Sequence, residues 1–136
     1  MRHDQIHFRA EFTIEQGKIE EYKRLIQEMS RMVEANEPHT INYQFYLNED
    51  EAKCIVFETY VNSDYALAHN NGIASRTTLP KIFSVAKISS TKLITSYGNP
   101  SEELQKLLAS FNAETFNLFA GFSRGNVCVN FRSNKA

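Results

Sequence analysis

The sequence predicts an α+β domain in which one antiparallel sheet is covered on one face by helices. Two observations carry this prediction. Segments with the two-residue period or the β-branched and aromatic content of strands, "IHFRAEFTI" (6–14), "TINYQFYL" (40–47), "CIVFETYV" (54–61) and "STKLITSY" (90–97), are interleaved with segments of helical period. The connector "NEDEA" between the second and third strand segments is of hairpin length and rich in turn formers, so those two strands pair antiparallel.

In the first segment Ile6, Phe8, Ala10 and Phe12 alternate with His7, Arg9, Glu11 and Thr13, which gives one apolar face. Gly17 breaks this period, and Ile19, Tyr22, Ile26, Met29 and Val33 follow at helical steps, predicting a helix over about 18–35 that Pro38 stops. After the hairpin, Ser63 or Asp64 is the expected cap of a helix running through "DYALAHN" to Asn70, Asn71 and Gly72. A further helical piece is expected over about 73–87, with Pro80 as a kink or a fresh start. The fourth strand ends before Gly98, Asn99 and Pro100. The order strand, helix, strand, strand, helix, strand is that of the split βαβ or ferredoxin-like arrangement.

Beyond residue 98, Ser101 is placed to cap a helix carrying Glu102 and Glu103 in its first turn and Leu104, Leu107, Leu108 and Phe111 on one side. An aromatic arm follows at Phe116, Leu118, Phe119 and Phe122, expected to pack on its own subunit or on a partner. The expected organisation is a ferredoxin-fold domain over 1–98, a helix and arm packed on it over 99–124, and a tail over 125–136 left between a short edge strand at "VCVNF" and disorder.

Composition narrows the functional classes. At 136 residues with 42% hydrophobic content, the chain suffices for one domain with its own core. Fifteen basic against 16 acidic residues, without a basic run, argue against nucleic acid or an anionic membrane as partner. Cys54 and Cys128 stand without a metal-ligand spacing, and no apolar stretch approaches the ~20 residues of a membrane span. A reducing, cytoplasmic setting without structural metal is the expectation.

One strand face is of particular interest. The alternation divides the second and third strands into Tyr43, Phe45, Ile55 and Phe57 on one side and Asn42, Gln44, Tyr46, Val56, Glu58 and Tyr60 on the other. Packing the first set on the helices leaves the second large and half apolar, so a second sheet is expected to cover it in a homodimer.

The stretch "EPHTINYQFYLNEDEAKCIVFETYVNSDYALAHNN" resembles the antibiotic biosynthesis monooxygenase superfamily, through Glu37-Pro38, Tyr43, Phe45 and Tyr46, Glu58 and Tyr60, Ala66 and His69. The resemblance covers residues 5–97 and implies a ferredoxin-like protomer that dimerises through its sheets into a shared α+β barrel. It also implies a pocket between sheet and helices, and oxidation of a small aromatic or quinol-like compound by O2 without metal, flavin or other cofactor. The haem-degrading branch of that superfamily uses an asparagine, a tryptophan and a histidine, whose matched positions here hold Ala10, His69 and Leu79 in a chain without tryptophan. Haem degradation by that route is not expected.

His69 is the one histidine expected on a helix facing the sheet, and its near-neutral titration suits a base or a donor to a phenolate. The bland alternative is a helix-end histidine bonded to a backbone carbonyl or lying at the dimer interface. Tyr46, Tyr60, Tyr65 and Asn70 are the candidate substrate-binding residues beside it, against alternative roles in packing and, for Asn70, in helix termination. Glu58, a carboxylate in mid-strand, requires a partner and is expected to form a structural ion pair with Arg9 or Arg76. A non-catalytic dimeric module that binds or senses a small molecule fits the same fold, because fold does not fix function.

Overall fold

The structure is a computed structural model that describes residues 4–89 and 94–124. Strand β1 (Ile6–Ile14) buries Ile6, Phe8, Ala10, Phe12 and Ile14 on one face, and α1 (Ile19–Asn36) lays Tyr22, Leu25, Ile26, Met29 and Val33 towards the core. Fully burying a side chain of this size stabilises the fold by about 1.5–3 kcal/mol. The hairpin of β2 (Thr40–Leu47) and β3 (Lys53–Tyr60) is antiparallel, and β3 pairs with β1 from Ile6↔Tyr60 to Thr13↔Lys53. The ferredoxin-like arrangement is present, with sheet order β2, β3, β1, β5 (Thr95–Tyr97), β6 (Glu114–Phe116) and with β4 (Ala86–Ile88) on the same side of β1 as β5. Among the described residues no helix is long and apolar enough to cross a membrane.

Three local readings change. The helix α2 (Ser63–Asn70) is capped by Asn62, whose side chain accepts from the Tyr65 amide at 3.2 Å, one residue earlier than expected. The single helix expected over 73–87 is two short ones, α3 (Ile73–Thr77) and α4 (Leu79–Phe83), because Pro80 lacks the amide needed to continue a helix and sits in the first turn of a new one. Its last residues instead form β4 (Ala86–Ile88), paired with the end of β1. Of the fourth strand expected over 90–97, residues 95–97 form β5 (Thr95–Tyr97), and residues 90–93 lie outside the described residues.

The phase of the hairpin faces is also corrected. Tyr43 stands opposite Glu58 and Phe45 opposite Val56, so Tyr43, Phe45, Val56, Glu58 and Tyr60 share the helix-covered face. Residues directly opposite in an antiparallel pair project to the same side. Gln44, Tyr46, Ile55 and Phe57 therefore occupy the open face, where the Tyr46 and Phe57 rings meet edge-on at 5.9 Å.

The C-terminal segment docks through α5 (Glu102–Ser110). Ser101 caps it, accepting from the Leu104 amide at 3.2 Å, as its sequence implied. The Ser101 amide donates to Ser63 Oγ at 2.9 Å, which ties the start of α5 to the start of α2. Leu104 and Leu108 complete a cluster with Ile6, Phe8, Tyr60 and Ala66. A strand not expected from the sequence, β6 (Glu114–Phe116), then runs parallel to β5 and stacks Phe116 on Tyr97 at 5.7 Å. Farther along the arm, expected on its own subunit or on a partner, Phe119 is 99% and Phe122 78% exposed in the single chain. The segment 125–136 lies outside the described residues.

Gly98 turns the chain from β5 towards α5 at φ +127°, and a Cβ there would sit 2.6 Å from the Gln5 carbonyl oxygen. Both conditions exclude a side chain without movement of backbone. Gly98→Ala is expected to cost about 1–3 kcal/mol, read as a lowered urea midpoint; an unchanged midpoint would show that this turn yields freely.

Candidate active site

A cavity of about 250 Å³ lies between the covered sheet face and helices α2 to α5. It separates two hydrophobic clusters. One wall comes from the cluster built on Ala10, Phe12, Val56 and Ile82, the other from the cluster built on Phe8, Ala66 and Leu108. The lining is apolar except for the phenol of Tyr43 and for Glu58, His69, Asn70 and Ser75.

His69 is held through one ring nitrogen. Its Nδ1 lies 2.8 Å from Glu37 Oε1, and since a carboxylate can only accept, Nδ1 is the donor. Glu37 is the residue after α1, placed where Pro38 forces the chain out of the helix, and its Oε1 also accepts from Thr40 Oγ1 at 2.9 Å. The Nε2 of His69 faces Ser75 Oγ at 3.4 Å and Glu58 Oε1 at 3.8 Å. Ser75 donates its hydroxyl hydrogen to the His69 carbonyl at 2.7 Å, so it does not occupy the Nε2 lone pair. In the neutral ring that lone pair is left free for a ligand proton.

Electrostatics favour the protonated ring. Burial alone would lower the pKa of His69, but the hydrogen bond to Glu37 and the charges of Glu58 and Glu37 outweigh it, and the net shift is upward. The tyrosines respond in the opposite sense: burial first, then the charge of Glu58, push the phenols of Tyr60 and Tyr43 well above their ordinary value. Tyr60 therefore stays a donor, and its hydroxyl donates to Glu58 Oε1 in a short hydrogen bond. The rings of Tyr43 and Tyr60 stand 5.3 and 5.5 Å from that of His69.

The sequence-predicted residues divide. His69 and Asn70 line the cavity. Tyr60 is fully buried and stands outside the lining, acting on the site through Glu58. Tyr46 is 53% exposed on the open face of the sheet, removed from the cavity by the hairpin register. Tyr65 turns away from the cavity as well, its ring lying 4.0 Å from that of His39. The His69 ring bonds the Glu37 carboxylate rather than a backbone carbonyl and stands on the helix-covered side of the sheet.

The expected arginine partners of Glu58 are absent from it. Arg9 lies on the other sheet face beside Glu11 at 3.4 Å, and the Arg76 Nε donates to the Asn71 carbonyl at 3.1 Å. Glu58 instead pairs with Tyr60 and His69. Sequence reasoning passed over Glu37 and Ser75 as site residues. Glu37 was visible within the Glu-Pro pair at the start of the family-like stretch, whereas Ser75 has no sequence signal, because only the fold of α3 brings it to the ring.

Comparison with known proteins agrees with this architecture. The model of a family described as antibiotic biosynthesis monooxygenase matches residues 6–79, more than half of the chain. Among solved structures, MupZ from Pseudomonas fluorescens is similar at 25% identity and TM-score 0.73, over 90% of this chain and 97% of that one. A conserved protein from Methanosarcina mazei Go1 shares the fold at 14% identity and TM-score 0.62, over 72% of this chain and 95% of that one. SnoaB from Streptomyces nogalater, described as a cofactor-independent oxygenase, shares it at 10% identity and TM-score 0.60, over 72% and 95%. No match is found among curated proteins. With the matched region spanning β1 to β3, α1, α2 and the residues around the His69 ring, the chain belongs to the antibiotic biosynthesis monooxygenase family.

Proposed function

We propose that the protein oxidises a small phenol or quinol with O2, without a cofactor of its own, and that His69 Nε2 is the proton acceptor. The supporting observation is the placement of that nitrogen, which faces a largely apolar cavity and is backed through Nδ1 by a half-buried carboxylate. Deprotonation makes the ring electron-rich enough to reduce O2 directly. A bond then forms between a ring carbon and oxygen, giving a substrate hydroperoxide. Loss of the ring proton and cleavage of the O–O bond release water and leave a carbonyl, so one phenol and one O2 give one quinone and one water. The imidazolium formed in the first step rests between Glu37 and Glu58, which lowers its energy. Family membership supports this reading, and SnoaB shows that the fold can host cofactor-independent oxygenation.

Asn70, beside His69 on the cavity wall, is the proposed second polar contact to the substrate. Tyr60 is proposed as a positioning residue that holds Glu58. The measurement is oxygen uptake in an electrode with a panel of hydroquinones. Uptake above the buffer rate supports the oxygenase, whereas saturable binding without uptake identifies a small-molecule-binding module.

The subunit is proposed to pair with a second copy through the open sheet face. Phe57 (44% exposed), Tyr46, Phe116 and the half-buried Ile55 and Tyr97 form on it an apolar surface larger than scattered single residues would make. Sedimentation equilibrium at micromolar concentration should return twice the chain mass, and a single-chain mass would remove the proposal.

A further inference from the structure

The part of the chain beyond the matched family region helps to enclose the cavity. The family match ends at residue 79, yet Leu107, Leu108 and Phe111 of the C-terminal helix line the same space as His69 and Glu58. Two features hold this helix in place: the hydrogen bond from the Ser101 amide to Ser63 Oγ, and the burial of Leu104 and Leu108 against Phe8 and Ala66. Leu108 is 3% exposed and belongs to the core, while Leu107 and Phe111 are only half-buried and stand at the cavity with freedom to differ in bulk.

We infer that α5 is the size gate of the pocket, with Phe111 and Leu107 as specificity-determining residues for a neutral ligand that has one polar group and an apolar body. The chemistry of the lining sets each part of that description. Among the described residues neither lysine nor arginine lines the cavity, and the one cationic group there, the His69 ring, already stands between Glu37 and Glu58, so a carboxylate or phosphate on the ligand would be desolvated beside two carboxylates sharing a single countercharge. Ser75 Oγ and Glu58 Oε1 lie within 3.8 Å of His69 Nε2, which gathers polar atoms at one end of the cavity. The wall offered by α5 is purely apolar, able to restrict bulk and unable to bond. A cavity of about 250 Å³ is at the small end of ligand pockets, so one side chain's volume is a large fraction of it.

This inference rests on the cavity being the substrate site, and its test separates the two. Calorimetric titration of the wild-type chain with 4-alkylphenols from methyl to octyl should show affinity rising roughly fourfold per added methylene until the cavity is full, then falling. Phe111→Ala should move the optimum to longer chains and bind the longest members about tenfold more tightly than wild type, whereas Phe111→Trp should move it to shorter ones. Circular dichroism melts establish that each variant is folded, and the opposite directions of the two shifts separate a gate from general damage. The matching 4-alkylbenzoates should bind at least ~100-fold more weakly than the phenols. An optimum unchanged in both variants, or equal binding of the benzoates, overturns the inference even if oxygen is consumed. Shifted optima without oxygen uptake uphold the gate and remove the oxygenase chemistry. Absence of saturable binding by every phenol defeats both.

Discussion

His69→Ala is expected to lower oxygen uptake on a reactive hydroquinone by about 10²–10⁴-fold, the usual contribution of a positioned acid–base group. The size follows from the site: the other groups that could take the proton are carboxylates, and Glu58 already accepts from Tyr60. The truncation also leaves Glu37 without its ring partner in a half-buried place, a loss of about 1–3 kcal/mol in stability. His69→Gln addresses this, because its amide can still donate to Glu37 while lacking a titratable nitrogen. Both variants should retain alkylphenol binding to within a few-fold, since most of the lining is apolar and untouched. Full activity in a folded His69→Gln protein would remove His69 from the chemistry.

Glu37→Gln is expected to shift the titration of His69 downward and, with it, the rise of rate with pH. The glutamine oxygen still accepts from Nδ1, so ring orientation survives while the charge that favours imidazolium is lost. In the wild-type fold the pKa of His69 is raised, which fixes the sign of the stability effect. The extra stability is fully present below the unfolded value of about 6.5 and is lost as pH rises through the folded value. The groups facing the ring that set this are Glu37, Glu58, Tyr43 and Tyr60. Proton NMR titration of the His69 ring, paired with urea unfolding at several pH values, should show a lower midpoint and a flatter stability profile in the variant. An unchanged midpoint would mean that Glu58 alone sets the protonation of the ring. Because the proposed base is the neutral ring, the wild-type rate should climb at a higher pH than that of Glu37→Gln.

Much of the frame was legible because it is written in local periods. The alternation of β1 and the stripe of α1 place their buried faces without reference to any distant residue, and Ser101 announces the start of α5 through its own side chain. Pro80 marked a discontinuity, but whether it bent one helix or began another depends on Thr78 and Ile82 packing against α1 and the core. β4, which the sequence did not announce, exists through its pairing with β1, and pairing partners are not encoded in a strand's own residues.

The site shows the same division more sharply. The sequence by itself determined the sheet-and-helix layering, the helix that carries His69, and the anomaly of an acidic residue in mid-strand at Glu58. Tertiary structure alone decided the hairpin register that sends Tyr46 to the open face while turning Tyr43 and Glu58 inward. It also brought Glu37, 32 residues away in sequence, to the histidine ring, and closed the cavity with α5. The physical reason is range: periodicity reports how a segment meets its immediate surroundings, whereas a buried pair of charges and the walls of a cavity exist only where distant segments converge.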